Sequence, residues 1–384
     1  MGKTLLMINM SYASDWDEGI VNRNFHILQS LKKEEVFDTI VSVDFPPYSV
    51  KTKLRALLKT KTWKKNKETV HRGGGIRIDA QDGNKKMLAA YCTSLSSLPK
   101  ALKKVGIQTD DLVVWSYDPF ATSIRRLFPN ALYVFDAVDN WTEHPSHVRR
   151  KAMLGQAYKT IQRDADIIFT VSEGLVDFFN KSEKAFFVPN GVDAFHFSAG
   201  VCNTALIPDT KGPIVGYHGI IQDRINFSVI DFISDKLPDH QFVIAGPVWK
   251  SVEDSVKRLG KKPNVNFINQ IPYEELPNLI QCFDVAIIPH KVDALTQSMN
   301  PLKIYEYLAA GKPIVASPIA GADQFQDLIK LAVSPEEFTV KIQKAIELDS
   351  QELIDRRKSM AKMHSWTQRI HTMLEIMESR TKKS

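Results

Sequence analysis

Short apolar runs alternate with helix-period stretches along most of the chain. In the first half the runs fall at residues 5–8, 39–43, 112–115, 132–135, 167–171 and 185–188. Several are apolar at every position, as a parallel strand covered by helices on both faces should be. Helical spacing fills the intervals, for example at 24–32 and 147–163. A second series begins near residue 213, with runs at 213–217, 241–245, 265–268, 285–288 and 313–316. Strand–helix alternation predicts α/β architecture, and two series predict two Rossmann-like, doubly wound domains. The stretch 195–211 lacks periodicity and is the expected junction. The expected division is therefore 1–195, 205–360 and a closing segment 361–384. Trp366, Ile370, Met373, Leu374 and Met377 give that segment the apolar stripe of an amphipathic helix.

A length of 384 residues suits two domains, and 43% hydrophobic with 24% charged residues excludes a disordered or fibrous chain. The net charge of +6 is too small to indicate a nucleic-acid partner. Cys92, Cys202 and Cys282 lie far apart with no C-x-x-C pair. That spacing argues against a zinc ribbon, a redox motif or a secreted disulfide scaffold and for a reducing compartment. No run approaches the roughly 18 apolar residues of a membrane span, and the start is read as a buried strand rather than a signal. One segment departs from the charge balance. From Lys51 to Lys67 there are eight basic residues, no acidic ones, and Leu54, Leu57, Leu58 and Trp63 interleaved. That composition fits a membrane-surface element or a solvated surface loop.

Candidate chemistry concentrates in SMNPLKIYEYLAAGKP, residues 298–313. Asn300 followed by Pro301 predicts a helix start, with Asn300 as the cap, and Gly311 predicts its end. The unpaired N–H groups of such a start attract a phosphate, and Lys303 in the first turn makes electrostatic sense if an anion binds there. Glu306 is placed to accept ribose hydroxyls.

These residues, preceded by FVIAGPV at 242–248 and NVNFINQIPYEELPNLIQCFDVAIIPH at 264–290, resemble in order the C-terminal domain of GT-B glycosyltransferases. The resemblance is to family 4, the glycosyl transferases group 1, and spans about 185–377. VPNGVD at 188–193 is similar to the family's junction segment, and HSWTQRIHTML to its final helix, which crosses back to the first domain. Two positions depart from the family pattern. Ser298 stands where the first glutamate of E-x(7)-E is usual, Glu306 matching the second. Ile220 follows Gly219 where an arginine is usual, and Arg224 is the nearby cation. These departures look more like a subgroup of bacterial polysaccharide glycosyltransferases.

The resemblance implies two domains facing a cleft and a nucleotide-diphosphate sugar, a UDP-sugar, as donor. The donor site is expected at His218, Arg224, Ser298, Met299, Asn300, Pro301, Leu302, Lys303 and Glu306, with the base near Ile271. It implies no metal and no cofactor. Asp139, in the loop after the run at 132–135, is the expected catalytic residue, as general base if the enzyme inverts or as an orienting group if it retains. Asp136 is the second candidate. Gly19, Arg23 and His26 are expected to contact the acceptor, a glycan or lipid-linked molecule. The expected location is cytoplasmic, peripheral on the inner membrane face. A UDP-N-acetylhexosamine 2-epimerase and a non-catalytic nucleotide-sugar-binding module are the alternatives.

Overall fold

The computed structural model describes residues 4–46, 68–73, 76–81, 84–209 and 211–381, so the segment from Lys51 to Lys67 lies outside the described residues. The chain forms two compact units, Met1–Val188 with Ile370–Ser384, and Pro189–Arg369.

The first unit is built on nine strands among the described residues. They are β1 (Thr4–Ile8), β2 (Thr39–Val43), β3 (Glu68–Gly73), β4 (Ile76–Gln81), β5 (Asn84–Cys92), β6 (Leu112–Ser116), β7 (Leu132–Ala137), β8 (Ile167–Thr170) and β9 (Ala185–Phe187). The sheet order is β3-β4-β5-β2-β1-β6-β7-β8-β9. Strands β1, β2 and β5 to β9 pair in parallel, whereas β3, β4 and β5 form an antiparallel meander at one side. The sequence reading has no strand between 43 and 112. The reason is visible in β4, where Ile76, Ile78 and Ala80 turn into the core while Arg77 and Asp79 alternate with them. Such a strand carries no continuous apolar run. Asp79 is itself buried, and it is satisfied by Arg77 Nε at 2.8 Å and Thr69 Oγ1 at 2.9 Å. Leu6, Ile8, Val41, Val114 and Phe135 pack with Leu98, Leu102, Ile161 and Leu175 of the covering helices.

The second unit has six parallel strands: β10 (Ile214–His218), β11 (Gln241–Ala245), β12 (Val265–Ile268), β13 (Val285–Ile288), β14 (Ile314–Ala316) and β15 (Ile329–Leu331). Their order is β12-β11-β10-β13-β14-β15. Alternate residues of each strand feed two separate cores. Val243, Ala245, Ala286 and Ile288 pack against Ile304 and Leu308 on one face. Val215, Tyr217, Phe242, Ile244, Val285 and Ile287 pack against Ile230, Ile233 and Phe338 on the other. Burial on both faces is why β11, β13 and β14 are legible as apolar runs, whereas the short β15, with Lys330 at its centre, is not among the strands expected from the sequence.

The cysteine expectation is corrected. Cys202 and Cys282, 80 residues apart, are joined by a disulfide with 4.6 Å between Cα atoms. Val201 N–H donates to Asn278 Oδ1 at 3.0 Å and Asn203 N–H to the Asn278 carbonyl at 3.4 Å, which lays this segment along the Leu276–Gln281 helix. No sequence spacing could show that pairing, and the inference of a reducing compartment loses its basis. Titration in denaturant should find one thiol per chain before reduction and three after it. Reduction should lower stability by about 2–4 kcal/mol. Three thiols in the unreduced protein would contradict the bridge.

Candidate functional site

In the second unit the strand order reverses between β10 and β13, so the loops leaving their C-terminal ends flank a topological switch point. The loop after β10 is held from both sides. Ile221 bridges Val248 beyond β11, and Ile225 bridges His290 beyond β13. Gly219 adopts φ +114 and Gly246 φ +142, and a Cβ on Gly246 would lie 2.1 Å from the Gly219 carbonyl oxygen. Glycine is therefore required where these two loops meet.

This fixed loop presents Arg224 beside the start of the Leu302–Ala309 helix. Arg224 Nη1 lies 3.7 Å from Met299 Sδ. The Gln222 amide oxygen, in the orientation that satisfies both groups, accepts from Arg224 Nη2 at 2.9 Å and Nε at 3.1 Å. Lys303 Nζ lies 5.0 Å above the centre of the Tyr217 ring. A Cβ on Gly219 would meet that nitrogen at 3.1 Å, so the missing side chain makes room for the ammonium. Neither Arg224 nor Lys303 forms an ion pair among the described residues. Burial first, and then the nearby Arg224 charge, push Lys303 down to about 8, partly opposed by Glu306. The same two cations, after burial, hold His290 well below its ordinary range, so it is neutral. Positive charge is thus concentrated here, with neither cation in an ion pair among the described residues and Glu306 acting on Lys303 from a distance.

Glu306 and His218 form a buried pair, with Oε2 and Nε2 3.0 Å apart. The His218 N–H donates to Tyr307 Oη at 3.0 Å, which fixes the histidine from the next residue of the same helix. His218 is therefore on Glu306. The expected cap is also corrected. Pro301, not Asn300, occupies the capping position, and no side chain caps the helix. The Asn300 side-chain oxygen accepts the Asn190 N–H at 2.8 Å instead, and the Asn300 carbonyl accepts Asn190 Nδ2. Asn300 thereby ties Asn190 to the helix start, while no side chain among the described residues caps the first N–H groups, at Leu302 and Lys303. Ser298 closes a three-ten turn and donates to the Leu295 carbonyl at 2.7 Å. Ile271 is partly buried against the core. Gln222, Tyr217, Tyr307 and His290 were missed. The one local signal was histidine directly after an apolar strand, in IIPH.

In the first unit, Asp139 lies in the loop after β7 and is partly exposed. The Tyr158 hydroxyl donates to the Asp139 carbonyl at 3.3 Å and accepts the Trp141 N–H at 3.3 Å, so one side chain holds this loop. Gly19, at φ +82, follows the short Ala13–Asp17 helix. Arg23 opens the Arg23–Lys33 helix but turns inward. It is 2% exposed, and its Nε lies 3.0 Å from both carboxylate oxygens of the fully buried Asp136. Arg23 and Asp136 form a buried ion pair, which turns the Arg23 guanidinium into the unit. His26 is likewise buried, against Phe25. Arg23→Met should cost about 3–5 kcal/mol, because it strands a buried carboxylate. A urea midpoint unchanged from the parent would refute this. One carboxyl escaped the sequence reading: Asp118, beyond β6, accepts the Phe120 N–H at 2.9 Å and is raised by burial to about 7.

Among the described residues no group of three or more His, Cys, Asp and Glu is arranged to hold a metal ion.

Residues 216–347 match the family model described as Glycosyl transferases group 1. The second unit thus carries the group 1 glycosyl transferase pattern. The resemblance inferred from about residues 185–377 is to this family, and the two Rossmann-like units have the GT-B fold. The chain is 27% identical over 250 residues to a Bacillus subtilis (strain 168) protein named as a teichuronic acid biosynthesis glycosyltransferase, TuaH. That match covers 62% of this chain and 63% of the relative's length. Among solved structures, Anabaena Alr3699/HepE in complex with UDP and glucose superposes with a TM-score of 0.68 at 16% identity, over 99% of this chain and 100% of that one. Sucrose-phosphate synthase from Thermosynechococcus elongatus superposes with a TM-score of 0.70 at 14% identity, over all of both chains. At these identities the structural likenesses establish the fold alone.

Proposed function

We propose that the chain is a glycosyltransferase that moves a sugar from a UDP-sugar to a glycan or lipid-linked acceptor in bacterial cell-surface polysaccharide synthesis. The observation that carries the reading is the Arg224–Lys303 pair, two cations with no ion pair among the described residues, beside an uncapped helix start. A diphosphate supplies the missing charge. The guanidinium takes two phosphate oxygens, the ammonium a third, and the helix N–H groups add donors. The names of the relatives support the donor, because HepE was crystallised with UDP, and TuaH is named for teichuronic acid biosynthesis.

In this reading Glu306, steadied by His218, accepts the ribose hydroxyls, and the base lies near Ile271. Asp139 of the first unit faces the acceptor hydroxyl. As the acceptor oxygen bonds to the sugar's anomeric carbon, the bond from that carbon to the phosphate oxygen breaks. The leaving UDP is stabilised by Arg224 and Lys303, and the acceptor proton passes to Asp139. No metal enters the scheme. No helix among the described residues is long and apolar enough to cross a membrane. We place the protein at a membrane face, where a lipid-linked acceptor is available.

Thermal shifts with UDP, GDP and ADP, without added metal, test the donor site. UDP at 100 times its Kd should add about 2.7 kcal/mol, and the purine nucleotides less. Absence of any shift would overturn the reading. A UDP-sugar interconverted without an acceptor would point to an epimerase.

A further inference from the structure

The first unit contains a groove that the donor site does not use. It runs beside the Lys151–Asp164 helix with a volume of about 320 Å³, at the small end of the range of small-molecule sites. Its floor is aromatic, formed by Tyr158, Phe178 and Phe179. Its rim carries Lys151 and Lys159. Lys151 is mostly exposed and shares its charge with Glu143 at 2.8 Å, whereas Lys159 has no ion pair among the described residues.

Gly155 lines the same groove from the middle of the helix. Glycine weakens a helix interior relative to alanine, and close packing often explains why one is present. Here it does not, because a Cβ built on Gly155 meets no atom within 4 Å. What the missing side chain does is keep the groove open. The sequence along the helix is basic, flanked by Glu143, which pairs with Lys151, and by Asp164, which pairs with Arg163. From Pro145 to Arg163 the sequence has Arg149, Arg150, Lys151, Lys159 and Arg163 and no acidic residue. One end of the groove reaches Thr142 and Tyr158, and the Tyr158 hydroxyl is the group that holds the Asp139–Trp141 loop.

We infer that this groove binds a phosphate ester of an apolar chain, with the chain on the aromatic floor and the phosphate between the lysines. An apolar floor alone would accept any hydrophobe, and lysines alone any anion. Together, and beside the Asp139 loop, they fit the lipid-phosphate end of an acceptor. The inference rests on the reading of the first unit as the acceptor side.

The test is calorimetric titration of the full-length protein with geranyl monophosphate, a short and non-micellar probe, alongside geraniol and inorganic phosphate. Geranyl monophosphate should bind at least ten-fold more tightly than either fragment. Gly155→Leu fills the groove and favours the helix, so it should weaken binding at least ten-fold without lowering the melting temperature. Lys159→Glu should weaken geranyl monophosphate and leave geraniol unchanged. Unaltered binding in Gly155→Leu, or inorganic phosphate binding as tightly as the ester, would overturn the inference. UDP titration of the same variants separates the two readings. UDP binding without geranyl monophosphate binding rejects the groove alone, and the reverse rejects the donor site alone.

Discussion

Lys303→Met should weaken UDP binding about 10- to 150-fold, the equivalent of losing one hydrogen bond to a charged group at about 1.5–3 kcal/mol. The variant keeps most of the apolar stem of the lysine and removes the ammonium, together with its contact over the Tyr217 ring. The parent's pH dependence follows from the lowered Lys303. Below about pH 8 the ammonium is charged in the free protein and meets the diphosphate directly. Above that pH the group must first take up a proton, so UDP affinity should fall as pH rises through 8. Calorimetry at pH 8 in two buffers of different ionisation enthalpy should show roughly half a proton taken up on binding, because a nearby diphosphate raises the group again. Lys303→Met should show none. The sign for the free protein is opposite. Below pH 8 the lysine is charged in both folded and unfolded chains, and its burial cost is fully present. Between the folded value of about 8 and the unfolded 10.5 the unfolded chain binds more protons, so this group's contribution to stability rises with pH. Equal proton uptake in parent and variant would remove Lys303 from the donor site.

Asp139→Asn should lower turnover by about 10²- to 10⁴-fold, the usual contribution of a general base, with the UDP Kd unchanged. The substitution preserves shape and leaves the backbone carbonyl that Tyr158 holds. Asp118→Asn is the matched comparison. Both carboxyls follow neighbouring strands, β6 and β7, but Asp118 is buried and donor-bound by the Phe120 N–H, whereas Asp139 is partly open to solvent. A base must reach its substrate, so exposure favours Asp139 even though Asp118 lies nearer neutrality, at about 7. Full activity in Asp139→Asn together with its loss in a folded Asp118→Asn would move the base to Asp118.

The sheet and its helices were legible where the signal is local. A strand covered on both faces is largely apolar, as VAII of β13 and FVIA of β11 are. The Leu302–Ala309 helix was legible from its preceding proline and its terminal glycine, and its family resemblance from the order of motifs around it. The β3–β5 meander was not, because its alternating polar residues look like a surface segment until a neighbouring strand buries Asp79 against Arg77.

What the sequence by itself determined is therefore periodicity, helix ends and residue type: an α/β chain with cations at Arg224 and Lys303 and a carboxylate at Glu306. What only the tertiary structure decided is which of these groups meet. Arg23 faces Asp136 across 113 residues, Asn190 faces Asn300 across 110, and Cys202 bonds Cys282 across 80. Local propensity is set by neighbours within a few positions, whereas the partner of a buried polar group is set by where the strands carry it. A buried arginine and an exposed one have the same neighbours in sequence, and packing alone separates them.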